Sequence, residues 1–215
     1  QPTARNIITE ILNRGNDAIL VGGSGLYVSS VIYDFAFPPR DETLRNELEQ
    51  RFEAGGVQPL IDELRHLAPS VAETVDVRNP RRVIRALEVA TLGGDAQVVL
   101  PEAPKLWHDR TNIIGVACPR DVLVPRLDQR VMDMWEAGLI DEVRHLIPEG
   151  IEEGPTASRA IGYAQAISQL RGTATKDEAI AETQVLTRRY ARRQVSWFKR
   201  YREIEWLDAP KVSLI

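Results

Sequence analysis

Ser24 sits inside the run Gly22-Gly23-Ser24-Gly25, the only hydroxyl in a turn otherwise built of glycine. Glycines let a backbone approach a ligand closely, and a helix opening after such a turn presents free N–H groups to an anion. The chemistry open to Ser24 is nucleophilic attack, a hydrogen bond that positions a ligand, or a purely structural turn. No Ser-x-x-Lys motif surrounds it and Gly23-Ser24-Gly25 is not a G-x-S-x-G elbow. A positioning or turn role is therefore the better supported.

The second feature is arginine repeated at helical spacing: Arg81 with Arg85, Arg126 with Arg130, Arg188 with Arg192, and Arg189 with Arg193. Like charges four residues apart cost an isolated helix about 0.2–0.5 kcal/mol per pair. Solvation or acidic neighbours can absorb that cost for one pair. Four pairs point to a polyanionic ligand for at least some of them, because the guanidinium is a planar fork of donors that suits phosphate. Between Arg188 and Arg202 there are seven Arg or Lys and no Asp or Glu, in a chain whose net charge is −4. A basic face on a mildly acidic protein is compatible with RNA binding. Arg189, Arg192 and Arg193 could face RNA phosphates, a pyrophosphate or solvent.

These residues need elements to hold them. The apolar run Ala18–Val21 ahead of the glycines reads as a buried strand, and Leu26–Val31 after them as a helix. Helices are expected over Thr3–Arg14, from Asp41 (a capping carboxylate) to Ala54, near Val57–Leu67, and from the Asn79-Pro80 start to Thr91. Residues 93–110 read as loop and Thr111–Cys118 as a second buried strand. Further helices are expected over Asp121–Ala137, Ile140–Ile147, Ser158–Leu170 and Lys176–Tyr201, with a short strand at Ile204–Leu207. In the last helix Leu186, Tyr190, Trp197 and Tyr201 read as a buried stripe.

The 215 residues are 43% hydrophobic and 27% charged, an ordinary globular composition. No apolar run approaches the ~20 residues a membrane helix needs, so no membrane partner is expected. One cysteine, Cys118, forbids an internal disulfide and fits a cytoplasmic setting. His66, His108 and His145 are scattered, which argues against a metal held by His and Cys. No persuasive general base stands out, and no G-x-x-x-x-G-K-[ST] phosphate loop occurs.

Five motifs in order give the chain a resemblance. Val21-Gly22-Gly23-Ser24-Gly25-Leu26-Tyr27 resembles the V-G-G-[ST]-G-L-Y signature of the tRNA dimethylallyltransferases, also called tRNA isopentenyltransferases. Asn79-Pro80-Arg81-Arg82-Val83-Ile84-Arg85-Ala86-Leu87-Glu88 resembles that family's N/D-P-x-R-x-x-R-A-L-E helix. Arg126 to Arg130 with Gly138 to Val143 resembles its R-[IL]-x-x-R…G-[LF]-x-x-E-V segment. Ile161-Gly162-Tyr163 matches its I-G-Y, and Thr187 to Trp197 its T-R-x-[YL]-A-[KR]-R-Q-x-x-W.

The resemblance implies an α/β fold: a partial P-loop-kinase-like parallel-sheet core over 1–38 and 111–215, with a mainly helical, tRNA-contacting insertion over 39–110. It implies transfer of a dimethylallyl group from dimethylallyl diphosphate to N6 of the adenosine just 3′ of the tRNA anticodon, with Mg²⁺ assisting departure of pyrophosphate. It places Ser24, where the family usually has Thr, beside the target adenine. Arg45, Arg81, Arg82 and Arg85 fall on tRNA-contacting positions, Arg81 standing where many members have Gln. Arg189 and Arg193 join the tRNA surface. Arg130 matches an arginine that handles the diphosphate, with Arg126 its helical neighbour. No Mg²⁺ ligand is identified in the chain, and a monomer is expected.

The family's phosphate loop, and the D-S-x-Q motif whose Asp is its expected general base, have no counterpart in these 215 residues. The chain begins downstream of them, and the expectation is that it does not catalyse prenyl transfer as written. A non-catalytic RNA-binding remnant and an adenylate isopentenyltransferase acting on free AMP are the alternatives.

Overall fold

A computed structural model describes residues 1–35, 37–94, 104–154 and 156–209. The chain divides into two compact units, Gln1–Ile32 with His108–Ile215, and Tyr33–Trp107.

The second unit is helical: α3 (Glu42–Gly55), α4 (Gln58–Leu67), α5 (Pro69–Thr74) and α6 (Pro80–Thr91). Its core joins Leu48, Leu60, Leu64, Val83 and Leu87, whose spacing gives each helix one apolar stripe. Each such side chain, fully buried, contributes roughly 1.5–3 kcal/mol. Asp41 caps α3 by accepting from the Leu44 N–H at 2.9 Å. Asn79 occupies the N-cap of α6, but its side chain makes no capping hydrogen bond.

The first unit holds α1 (Pro2–Asn13), α2 (Gly25–Ile32), β1 (Ile114–Ala117), α7 (Arg120–Glu136), α8 (Leu139–Leu146), α9 (Tyr163–Leu170), α10 (Lys176–Phe198) and β2 (Glu205–Asp208). β1 and β2 pair in parallel, Ile114 opposite Glu205 and Ala117 opposite Asp208. Val131, Trp135, Leu139, Val143, Ala166 and Ile180 bind the helices together. Trp135 satisfies its buried end by donating Nε1–H to Gln169 Oε1 at 2.8 Å. Thr175 and Glu178 form a reciprocal capping box at the start of α10.

Four expectations change. Ala18–Val21 is extended but joins no ladder, and Ile19 and Val21 are 88% and 87% exposed. A strand exists only through its neighbours' hydrogen bonds, and among the described residues nothing pairs with this segment. β1 is likewise half open, with Val116 68% exposed, because β2 is its one partner among the described residues. The expected helix Ser158–Leu170 splits into a 3-10 turn at Ala157–Arg159 and α9. Gly162 makes the break at φ 99°, a left-handed conformation that favours glycine, and its N–H donates to Gln165 Oε1 at 2.9 Å. Tyr190 leaves the expected buried stripe of α10, at 41% exposure. Residues 95–103 of the loop expected over 93–110 lie outside the described residues.

Candidate functional site

Ser24 stands at the start of α2, its carbonyl accepting from the Val28 N–H at 2.9 Å. Its hydroxyl is half-exposed and makes no hydrogen bond within the described residues. The glycines around it serve a packing purpose that spacing alone did not reveal. A Cβ on Gly23 would run into the side-chain amide of Gln194, and one on Gly25 into the indole of Trp197. Neither glycine has a positive φ. The turn is therefore glycine-rich because α10 lies hard against it. Gln194 donates Nε2–H to the Gly23 carbonyl at 2.8 Å, and Trp197 donates Nε1–H to Ser29 Oγ at 3.1 Å.

Gln194 and Trp197 thus hold the turn in place, a role that residue type alone does not reveal. The signal was present: they are the Q and W of the Q-x-x-W run, three residues apart and so on one helix face.

The same helix carries the densest positive charge. Arg188 spends its Nη1 on both carboxylate oxygens of Asp128 on α7, at 2.6 and 2.7 Å. Arg200 lies over the Trp197 ring, 4.2 Å from its centroid, within cation–π range. Arg189 and Arg193 are exposed and form no ion pair among the described residues. On α7, Arg126 is half-buried and Arg130 exposed. Ser24, Arg126, Arg130, Arg189 and Arg193 all belong to the first unit.

Arg45, Arg81, Arg82 and Arg85 belong to the helical unit. Two of them are tied to Glu88, whose accessibility is 0%. Its carboxylate accepts from Arg45 Nη2 at 2.6 Å, Arg45 Nε at 3.2 Å and Arg85 Nη1 at 2.8 Å, and from the Asp41 backbone N–H at 3.1 Å. Arg85 also donates to the carbonyls of Pro39 and Pro38, at 3.0 and 3.1 Å. Burial alone would push the Glu88 carboxyl up. The hydrogen bonds from Arg85, Arg45 and the Asp41 N–H outweigh it and hold the group below its ordinary value. Arg85 is thereby a framework arginine, whereas Arg81 and Arg82 project from the exposed side of α6.

Among the described residues no three His, Cys, Asp or Glu side chains converge into a cation cradle. Mg²⁺ is commonly held by one or two carboxylates together with substrate phosphates, and no step is assigned to it. No helix among the described residues is long and apolar enough to cross a membrane.

A family model described as IPP transferase matches residues 1–201. A tRNA dimethylallyltransferase of Clavibacter sepedonicus is 50% identical over 209 residues, covering 97% of this chain and 68% of the relative. One from Leifsonia xyli subsp. xyli is 53% identical over 216 residues, covering 100% and 82%. Among solved structures, the full-length tRNA isopentenylpyrophosphate transferase of Bacillus halodurans aligns with a TM-score of 0.62 at 38% identity, over 100% of this chain and 67% of that one. The tRNA delta(2)-isopentenylpyrophosphate transferase of Staphylococcus epidermidis gives 0.62 at 28% identity, over 99% and 70%. At these identities the α/β architecture, mostly helical with a small parallel sheet, is shared with those P-loop-kinase-like enzymes.

Proposed function

The chain belongs to the IPP transferase family, and on that premise we propose that it acts in transferring a dimethylallyl group from dimethylallyl diphosphate to N6 of the adenosine 3′ of a tRNA anticodon. The observation that carries this reading is the clamp between the glycine turn and α10. It holds a Ser24 hydroxyl that makes no hydrogen bond among the described residues beside a helix whose Arg189 and Arg193 form no ion pair among them.

The reaction forms a bond from N6 to the first prenyl carbon, breaks that carbon's bond to the diphosphate oxygen, and releases the N6 proton. A target base must be swung out of its stack to be reached. Ser24 supplies a hydrogen bond that fixes the extruded adenine. Arg81, Arg82, Arg189 and Arg193 hold RNA phosphates. Within the helical unit, Arg45 contributes to the surface that carries Arg81 and Arg82 from its anchorage on Glu88, and Arg85 orders that surface from within. Arg126 and Arg130 meet the diphosphate, where positive charge stabilises the leaving group. The 215 residues contain neither a phosphate-loop motif nor a D-S-x-Q base. We infer that these residues alone bind tRNA without turning it over.

Anisotropy titration of a labelled anticodon stem-loop tests the reading. Binding should weaken steeply with salt and resist competition by AMP. Equal competition by AMP would point to a mononucleotide substrate instead, and absence of stem-loop binding would remove the tRNA reading. Prenylated tRNA formed by these residues alone would overturn the inference about turnover.

A further inference from the structure

Glu88 is a fully buried acid on α6, the helix whose outer side carries Arg81 and Arg82. A buried carboxylate is costly unless it is paired and hydrogen-bonded. Even a paired one adds little stability over a well-packed apolar side chain. The place of such an acid is better explained by what it holds.

Its two oxygens hold different things. Oε1 accepts from the backbone N–H of Asp41, the cap of α3. Oε2 accepts from Arg45 Nε and Nη2, in the first turn of α3, and from Arg85 Nη1, one turn earlier in α6. Arg85 also donates to the carbonyls of Pro38 and Pro39. The start of α3 is thus tied to α6 at Pro38, Pro39, Asp41 and Arg45, all through one acid and its arginine partner. Arg85 has both Nη groups turned to protein acceptors. Arg45 differs. It is held by one edge, its Nη1 makes no hydrogen bond among the described residues, and its side chain is 27% exposed.

We propose that Glu88 is a positioning residue for RNA recognition: it fixes Arg45 in one rotamer by the Nε edge and leaves Nη1 to meet a phosphate oxygen. The inference deepens the tRNA reading above and rests on it. Ordering a long side chain at an interface lowers affinity by a factor of roughly two to ten. Glu88 removes that loss before the RNA arrives, and being buried it does not touch the RNA itself.

The sign of its effect separates positioning from plain charge. Glu88→Gln removes a negative charge from beneath a cationic surface, and Coulomb attraction alone would then tighten RNA binding. Positioning predicts the opposite, because Arg45 loses the acceptor that fixes it. Arg45→Ala removes the group that Glu88 acts through, so in that background the weakening should vanish.

Anisotropy titration of a labelled anticodon stem-loop with the whole chain, at a temperature where every variant is folded by its thermal melt, decides between them. Glu88→Gln should bind roughly two- to tenfold more weakly than wild type, with a smaller slope of log affinity against log salt. In Arg45→Ala the same substitution should add no weakening. Arg45→Lys keeps the test available if Glu88→Gln is unstable. Its ammonium is a point charge that pairs with Glu88 and offers no second edge, so it should bind about as weakly as Arg45→Ala. Glu88→Gln binding as tightly as wild type or tighter, equal weakening in both backgrounds, or wild-type affinity in Arg45→Lys overturns the proposal. Absence of binding by wild type would overturn the tRNA reading and this inference with it.

Discussion

Gln194 donates a hydrogen bond to the carbonyl of Gly23, 171 residues earlier in the chain, at 2.8 Å. That one contact joins the two most informative segments of the sequence, the glycine turn and the arginine-rich helix. Trp197, one turn further along α10, seals the junction against Ser29 and Gly25. The turn is shaped to fit a helix, and the Ser24 hydroxyl makes no hydrogen bond among the described residues.

Alanine at Gly25 should be the costlier of two turn substitutions. Its methyl would meet a rigid indole, whereas at Gly23 it would meet the movable end of Gln194. Overpacking of this kind costs about 1–3 kcal/mol. Urea unfolding should show Gly25→Ala near the top of that range and Gly23→Ala near the bottom. Equal, negligible shifts would mean that the turn does not press on α10.

Glu88 should anchor the helical unit. In Glu88→Gln the guanidinium groups of Arg45 and Arg85 lose their carboxylate, at a cost of about 2–3 kcal/mol, toward the low end for a buried pair because both arginines are partly hydrated. Arg45→Lys should recover less than half of the stability lost in Arg45→Ala, since one ammonium cannot reproduce the fork at Glu88. Thermal melts of the three variants read both effects.

The same carboxylate sets a pH dependence. The folded-state value of Glu88 lies below its ordinary 4.5. Its contribution is therefore fully present above that pH, and is lost as pH falls from 4.5 through the lower folded value. Wild type should lose stability across this acid window more steeply than Glu88→Gln. Parallel curves would show that Glu88 is not held in its charged form.

Arg189→Ala and Arg193→Ala should weaken stem-loop binding by similar factors whatever the loop sequence. Each should reduce the slope of log affinity against log salt by about one, as expected when a phosphate contact is removed. Arg85→Ala should instead destabilise the fold, because its donors are spent on Glu88, Pro38 and Pro39.

Helix positions were legible in the sequence because caps and apolar stripes are local. Asp41 caps α3 where its type places it, and α10 begins at Lys176 as the spacing predicts. Strand pairing was not legible. The run Ala18–Val21 has a strand's composition, but a ladder depends on a neighbour that composition does not specify. The purpose of Gly23 and Gly25 was hidden for a related reason: Gln194 and Trp197 are adjacent only in three dimensions. Arg81 and Arg85 look equivalent on a helical wheel, yet a buried acid turns one inward. Tyr190 fits the periodicity of a core stripe and lies exposed, because periodicity marks a helix face without saying what covers it.

The central claim is that the clamped turn presents Ser24 to the target adenine. The most direct test compares stem-loops bearing adenosine or purine riboside, which lacks the exocyclic amine, at the position 3′ of the anticodon, for wild type and Ser24→Ala. Wild type should prefer adenosine by several-fold, the worth of one hydrogen bond at about 1 kcal/mol. Ser24→Ala should lose that preference while keeping the same salt dependence and stability. An unchanged preference in Ser24→Ala, or none in wild type, would contradict the account.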